Sequence, residues 1–113
     1  MSDIRASLQH LSISAQKVRM VIDVVRGESA NRAMDILRFM PNRAADPVRK
    51  VLASAIANAE ENFGISRDDL VVAVITADEA PTRKWRRFGA RGRFKPLLRR
   101  SSHVNVILRE RSA

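Results

Sequence analysis

A stretch of 24 residues, from Ala80 to His103, places the strongest limit on what this chain can fold into. It holds nine Lys or Arg side chains and no Asp or Glu, and the formal net charge of the whole protein is also +9. Without the stretch, the 113-residue chain keeps 89 residues with 12 basic and 12 acidic side chains, which form a small and neutral body. Because a run of like charges repels itself in solution, the stretch requires a polyanionic partner, and nucleic acid is the first candidate.

Composition sets the broad class of protein. An apolar content of 45% excludes a wholly disordered chain, and the length predicts one domain spanning residues 1–113. The absence of Cys excludes disulfides and thiolate metal sites and suits a reducing cytosol. The longest apolar run, Leu70 to Ala77, is too short to cross a bilayer, and residues 1–4 show no secretory signal. We therefore expect a soluble, intracellular, basic protein.

Apolar periodicity predicts three helices before residue 65. Ser14 and Gly27 bound the first, residues 15–26, whereas Ser29 and Pro41 bound the second, residues 30–40. The core positions of the third helix are Val48, Val51, Leu52, Ala55, Ile56, Ala59 and Phe63, followed by Gly64. Its start is open between an N-cap at Asp46 and an earlier start at Asn42 with Pro47 in the first turn. The methionines Met20, Met34 and Met40 are interpreted as core residues.

Three segments are predicted as strands. Residues 4–8 and 104–109 alternate apolar with polar or outward-facing residues, as half-buried strands do. Residues 70–77 form a continuous β-branched run that is typical of a buried strand.

The basic stretch joins the last two strands and allows two interpretations, a disordered loop or two antiparallel arms. Centring a turn on Gly89-Ala90 places Trp85 opposite Phe94, Arg86 opposite Arg93 and Lys84 opposite Lys95. The two like-charged pairs would each cost about 0.2–1 kcal/mol, so we expect arms that are loose alone and ordered by phosphates. Ten residues from Pro81 to Ala90 reach about 33 Å, well beyond a body radius of about 13 Å.

The aromatic residues of the stretch favour RNA over duplex DNA. Three of the five aromatic residues of the chain, Trp85, Phe88 and Phe94, lie between its cations. Such rings can stack on the exposed bases of single-stranded or folded RNA, or they can pack across the two arms. Both roles stay open from the sequence.

A set of ordered motifs resembles a known family. The motifs are Ile13-Ser-Ala-Gln-Lys-Val-Arg19, Val25-Arg-Gly27, Ser54-Ala-Ile-Ala-Asn-Ala59, Pro81-Thr-Arg-Lys84, Ala90-Arg-Gly-Arg93 and Arg100-Ser-Ser-His103. In this order and spacing they resemble the bacterial large-subunit ribosomal protein twenty-two family from about residue 4 to 110. The resemblance implies an α+β fold of three helices packed on a small antiparallel sheet, with a long protruding β-hairpin at about residues 80–103.

The resemblance also implies a function and a site. The expected protein is a cytoplasmic, ribosome-bound constituent of the large subunit that binds rRNA, assists early assembly and lines the nascent-peptide exit tunnel near the macrolide site. Expected partners are large-subunit rRNA, neighbouring ribosomal proteins and the nascent peptide, with no membrane, small-molecule substrate, cofactor or self-association. On sequence alone Lys17 and Arg19 fit a solvated helix face, and the resemblance assigns them to rRNA instead. The full predicted RNA-binding set is Arg5, Lys17, Arg19, Arg83, Lys84, Trp85, Arg86, Arg87, Arg91, Arg93, Lys95, Arg99, Arg100 and His103. The predicted tunnel tip is Phe88, Gly89, Ala90, Arg91 and Gly92.

Two other classes of function are weaker. A helix-turn-helix DNA-binding protein would use the two helices around Gly27, but its second helix offers only Asn31, Arg32 and Arg38 to a groove. A nucleic-acid enzyme lacks a convergent set of acid, base or metal ligands, because the two histidines, His10 and His103, have no metal-ligand spacing. We therefore expect no catalytic and no metal site.

Overall fold

The protein combines three helices with one antiparallel sheet, as the sequence predicted. A computed structural model describes the backbone of residues 3–88 and 94–111 and the side chains of residues 3–81 and 100–111. Its elements, in chain order, are β1 (Ile4–Leu11), α1 (Ala15–Val25), α2 (Ala30–Phe39), α3 (Ala45–Asn62), a 3-10 turn (Arg67–Asp69), β2 (Leu70–Phe88) and β3 (Phe94–Glu110). The strand order β1-β3-β2 puts β3 in the centre of the sheet, antiparallel to both neighbours.

The core lies between the helices and one face of the sheet. Alternating residues of β3 point into it, with Val104, Val106 and Leu108 fully buried. Each helix contributes its apolar stripe, for example Ile22 from α1, Leu37 from α2 and Leu52 from α3, all without exposed surface. Burial of a side chain of this size stabilises a fold by about 1.5–3 kcal/mol, so these stripes fix the helices on the sheet.

The predicted helix ends of α1 and α2 are confirmed to within one residue. The Ser29 side chain accepts a hydrogen bond from the Arg32 backbone N–H and so caps α2. Ser14 occupies the corresponding position before α1 in extended conformation, although its side chain makes no cap bond. Gly27 follows α1 with a φ of +82°, a value that favours glycine, and this explains why the helix ends there.

Helix α3 starts between the two predicted positions. Its first helical residue is Ala45, preceded by a turn in which the Ala45 N–H donates to the Asn42 carbonyl. Pro47 therefore lies in the first turn, where its missing N–H would have no intrahelical partner anyway.

Two predicted core residues are exposed, so those predictions are wrong. Met20 on α1 is 65% exposed, and Phe63 at the end of α3 is 47% exposed. Phe63 is the residue after the last helical turn, where the chain turns away through Gly64 at a φ of +65°. Met34 and Met40, in contrast, pack against the core as predicted.

The two long strands β2 and β3 run through two different environments. From Leu70 to Ala80 and from Ser102 to Glu110 they lie under the helices or beside β1, and we call this part the packed sheet. Beyond it, residues 83–88 pair with residues 94–99, and we call this part the ribbon. The pairing decides between the two interpretations of the basic stretch in favour of antiparallel arms.

A β-bulge separates the packed sheet from the ribbon. Ala80 pairs with Ser101 and Arg83 pairs with Arg99, so β2 carries one extra residue at this point. Pro81 lies in the bulge, which is where a residue without an N–H is tolerated in a strand. The Ser101 hydroxyl donates to the Pro81 carbonyl at 3.2 Å and holds the two strands together across the irregularity.

The predicted register of the arms is wrong by three residues. Trp85 lies opposite Leu97 rather than Phe94, Arg86 opposite Pro96 rather than Arg93, and Lys84 opposite Leu98 rather than Lys95. The prediction centred a tight turn on Gly89-Ala90. The last described pair is instead Phe88 with Phe94, and five residues separate these two in the sequence. Residues 89–93, which connect the two strands in the sequence, lie outside the described residues.

The outer edge of β2 is covered by α1 and the turn that follows it. The Arg19 guanidinium Nε donates to the Ala77 carbonyl, and the Arg26 guanidinium donates to the Ile75 carbonyl, both at 3.0 Å. The Gly27 N–H donates to the Val72 carbonyl, and the Val72 N–H donates to the Glu28 carbonyl, each at 2.9 Å. These bonds give the edge of the packed sheet the partners that a fourth strand would otherwise supply.

Candidate nucleic-acid interface

The ribbon concentrates positive charge on two paired strands. Its twelve paired positions include six cations and no acid, and they are Arg83, Lys84, Arg86, Arg87, Lys95 and Arg99. Two pairs place like charges directly opposite each other, Arg83 with Arg99 and Arg87 with Lys95. Such pairs are destabilising without a counter-ion. The sequence predicted two like-charged pairs in the arms, and the register has two, although between other residues than those predicted.

The body of the protein neutralises much of its own charge. Within residues 3–81 and 100–111, five ion pairs join acids to bases, and they are Asp23–Arg26, Glu28–Arg32, Asp46–Arg49, Glu60–Arg67 and Asp3–Arg109. The hydrogen bond from Arg109 lowers the pKa of the Asp3 carboxyl, and the positive charge of the guanidinium adds to this. The paired cations are therefore committed within the fold, which leaves the ribbon as the dominant source of positive potential.

A basic groove lies where the ribbon meets the body. It has a volume of about 600 Å³, and Lys17, Arg43 and Arg100 line it together with Ser12, Ser14 and Asn42. Three chain segments meet here: the β1–α1 connection with the start of α1, the α2–α3 connection and β3. The structure thus brings together two of the predicted RNA-binding residues, Lys17 and Arg100, with one that the sequence analysis did not select.

Arg43 is the residue that the sequence analysis missed. It stands alone in a short connection after Pro41, and a single surface arginine gives no pattern in the sequence. Arg43 is recognised as part of a cationic surface because Lys17 and Arg100 line the same groove. No pattern in the sequence could have identified Arg43, because its relation to the other two cations depends on the fold.

The remaining predicted residues of the body occupy separate places. Arg5 is exposed on β1, and its backbone carbonyl accepts a hydrogen bond from the Asn58 side chain at 3.4 Å. Arg19 donates from its Nε to the Ala77 carbonyl on the edge of β2, and the residue is exposed. Its predicted role in RNA binding stays a prediction beside this structural one.

His103 accepts a backbone hydrogen bond on one of its ring nitrogens. The His10 backbone N–H donates to His103 Nδ1 at 3.0 Å, and the two rings meet edge to face at 4.8 Å. His10 adopts a φ of +57° in the irregular part of β1 to make this contact. Because Nδ1 accepts, the neutral imidazole carries its proton on Nε2, which can donate to a phosphate.

Several predicted site residues lie outside the described side chains. For Arg83, Lys84, Trp85, Arg86, Arg87, Lys95 and Arg99 the structure describes the backbone register alone. The same holds for Phe88, whereas Gly89, Ala90, Arg91, Gly92 and Arg93 lie outside the described residues altogether. Their contacts with RNA or with the tunnel stay predictions.

The helix-turn-helix alternative finds no support in the packing of α2. Asn31 donates to the Asp68 carboxylate at 2.6 Å, and Arg32 pairs with Glu28 at 3.2 Å. The Arg38 guanidinium lies over the Phe39 ring, 5.7 Å from its centroid. All three side chains that could read a DNA groove are thus engaged within the protein.

Within residues 3–81 and 100–111, no group of three or more His, Asp or Glu side chains is arranged to hold a metal ion. No helix in the described part of the chain is long and apolar enough to span a membrane.

Comparison with known proteins gives a consistent result over nearly the whole chain. The family model described as ribosomal protein L22p/L17e matches residues 6–109. The large ribosomal subunit protein uL22 of Thermoanaerobacter sp. (strain X514) is 46% identical over 107 residues, covering 95% of this chain and 96% of the relative. The uL22 protein of Pediococcus pentosaceus is 42% identical, covering 95% of this chain and 91% of the relative.

Fold, charge distribution and comparisons together define a ribosomal protein, a structural component rather than an enzyme. More narrowly, the chain belongs to the ribosomal protein L22p/L17e family. This confirms the resemblance seen in the motifs and the expectation of a cytoplasmic, ribosome-bound protein of the large subunit.

Proposed function

We propose that this protein, acting as a single domain, binds large-subunit rRNA through the ribbon and the adjacent cations of the body. One observation carries the proposal. The ribbon holds six cations and no acid on two paired strands, while the 89 residues outside the basic stretch carry 12 basic and 12 acidic side chains. A phosphate backbone relieves the repulsion between the ribbon cations and releases counter-ions from the RNA as it binds.

The length of the ribbon supports a role inside the particle. Strand β2 has 19 residues, and its helix-covered part ends near Ala80. At about 3.3 Å per residue, residues 81–88 alone reach about 26 Å, which exceeds the radius of a body of this size. A protruding arm of that length can enter folded RNA that excludes the helices. It is expected to bind several rRNA segments and so assist early assembly.

The finer role follows from the family. The tip residues Phe88, Gly89, Ala90, Arg91 and Gly92 line the nascent-peptide exit tunnel near the macrolide site, and the protein acts there as one copy beside neighbouring ribosomal proteins. Trp85, Phe88 and Phe94 either stack on bases or pack across the ribbon. Chemical footprinting of the rRNA, with and without Trp85→Ala, separates these two roles, because stacking protects specific bases and packing does not.

The salt dependence of rRNA binding tests the proposal. If the six ribbon cations meet phosphates, log K falls with log salt with a slope of about −4 to −5. Replacing all six by Gln is expected to remove most of that slope. Replacing Arg32, Arg49 and Arg67, which are ion-paired in the body, is the control and leaves most of it. A shallow slope in the unmodified protein contradicts the proposal, and so does failure to sediment with large subunits.

A further inference from the structure

We infer that His103, on the central strand β3, is a proton-operated switch between the two outer strands of the sheet. While its ring is neutral, it accepts a hydrogen bond from the backbone of His10 on β1. When its Nδ1 takes a proton from solvent, the ring releases His10 and pairs with the carboxylate of Asp78 on β2. The inference concerns the protein without RNA and does not depend on the proposed binding of rRNA.

The neutral state is built into an irregular part of β1. The register with β3 shifts between Leu8 and Leu11, where two residues of β1 lie opposite His103. In this β-bulge the His10 N–H donates to the imidazole Nδ1 at 3.0 Å, and the two rings meet edge to face at 4.8 Å. His10 makes the contact at a φ of +57°, which residues other than glycine rarely adopt. A side chain therefore supplies the acceptor that a backbone carbonyl supplies elsewhere in the sheet.

A proton on Nδ1 abolishes this contact. The neutral imidazole has one nitrogen that accepts and one that donates, whereas both nitrogens donate in the protonated ring. The His10 N–H and the new Nδ1–H then point at each other, and the hydrogen bond is replaced by a repulsion. His10 loses the bond that holds its unusual φ, so its backbone can return to a negative φ.

The protonated ring has a partner on the other side of β3. Asp78 pairs with His103 in the register, and paired residues of antiparallel strands carry their side chains on the same face of the sheet. The Asp78 side chain is exposed, and its Oδ2 accepts a hydrogen bond from the Asn105 amide at 3.4 Å. Its Oδ1 makes no hydrogen bond within the described residues and is available to the imidazolium. A carboxylate at this position stabilises the charged form of the ring.

The geometry of the strands limits which other charges face His103. Arg100 lies three residues earlier on β3, so its side chain projects from the opposite face of the sheet, where it lines the basic groove. Glu79 likewise projects from the face opposite to Asp78. The helices pack on that opposite face as well. On β1 the adjacent titratable group is the His10 ring, whose own protonation repels a charged His103, and the negative charge of Asp78 offsets this repulsion.

Hydrogen exchange of the His10 amide tests the switch in the full-length protein without RNA. Histidine rings ordinarily change charge between about pH 5 and 8. We therefore expect the protection factor of this amide, which is corrected for the intrinsic pH dependence of exchange, to fall at least about tenfold from pH 8 to pH 5. The Val106 amide, in the middle of the central strand, should keep its protection and so exclude global unfolding in every variant.

Three variants separate the two partners of the ring. His103→Phe removes the acceptor, so the His10 amide should be poorly protected at every pH. Asp78→Asn removes the charge that stabilises the protonated ring, so the loss of protection should move to lower pH by a few tenths of a unit. Glu79→Gln, the matched control, removes the same charge from the adjacent exposed residue on the other face and should leave the transition where it is in the unmodified protein.

The outcomes that overturn the inference are distinct. A protection factor of His10 that stays constant from pH 8 to pH 5 overturns the switch. A pH dependence that persists in His103→Phe also overturns it, because another group would then be titrating. Equal transitions in Asp78→Asn and Glu79→Gln overturn the exchange of partners. All of these results leave the proposed function standing, since the assay contains no RNA.

Discussion

The packed sheet and the ribbon are built from the same two strands, yet different forces hold them. In the packed sheet, alternate residues such as Val72, Ile75 and Val106 are fully buried against helices. In the ribbon, two pairs of cations occupy directly opposed positions on the two paired strands. Continuous strand pairing therefore does not imply uniform stability, because burial supplies the stability in one part and a polyanion must supply it in the other.

Amide hydrogen exchange gives the largest expected contrast between the two regions. In the free protein, the amides of residues 70–77 that pair with β3 should exchange at least about 100-fold more slowly than those of residues 83–88. Adding large-subunit rRNA should slow exchange in the ribbon and leave the packed sheet unchanged. Equal protection of both regions in the free protein breaks the comparison, because the ribbon would then be stable without its partner.

A core substitution should affect the packed sheet alone. Leu52 of α3 is fully buried, so Leu52→Ala is expected to lower the free energy of unfolding by about 2–5 kcal/mol. Val24→Ala on the exposed face of α1, where the side chain is 49% exposed, is the control and should cost less than about 1 kcal/mol. Urea unfolding measures both. At urea concentrations below the unfolding transition, the salt slope of rRNA binding by Leu52→Ala should equal that of the unmodified protein.

Two adjacent serines probe the boundary between the regions. Ser102→Ala leaves the Ile13 carbonyl without its buried donor and should destabilise the protein by about 1–3 kcal/mol. Ser101→Ala removes a more exposed bond to the Pro81 carbonyl and should change the free energy of unfolding by less than about 0.5 kcal/mol. Thermal melting of the pair measures the difference. Equal losses of stability in the two variants would contradict the expectation that the Ser102 hydrogen bond is the one that matters for the fold.

The smallest expected effect is the pH dependence of the Asp3–Arg109 contact. The hydrogen bond from Arg109 lowers the pKa of Asp3 in the folded state below its ordinary value of 3.8. The contact therefore stabilises the fold above that value, and the stabilisation is lost as the pH falls through the lowered pKa. Asp3→Asn should remove this part of the pH dependence of the melting temperature, whereas Asp35→Asn should keep it. An unchanged profile in Asp3→Asn would show that the contact is too exposed to matter.

Much of the fold could be predicted because local signals and tertiary packing agree. Ser29, Gly27 and Gly64 mark helix ends that the structure confirms, and the alternation of Val104, Val106 and Leu108 correctly predicts their burial. Met20 and Phe63 failed for the opposite reason. Phe63 continues the apolar stripe of α3 but is the residue that caps the helix, whereas Met20 was assigned to the core by residue type and lies off the stripe of Val18, Val21, Ile22 and Val25.

The site could be predicted in composition but not in geometry. The nine-cation stretch is visible in the sequence, since charge counts need no fold. The ribbon register was missed because the prediction centred the turn on Gly89-Ala90, whereas Phe88 pairs with Phe94, and this shifts every ribbon pair by three residues. Arg43 was missed because its relation to Lys17 and Arg100 depends on where three separate segments meet.

The covered edge of β2 has a consequence for the time before assembly. In a protein synthesised before it binds RNA, an uncovered edge strand would expose carbonyls that can pair with a second copy and start a fibre. Here Arg19, Arg26 and the turn at Gly27 already satisfy the carbonyls of Ala77, Ile75 and Val72. The helix that follows the first strand therefore leaves these three carbonyls unavailable to a strand of a second copy.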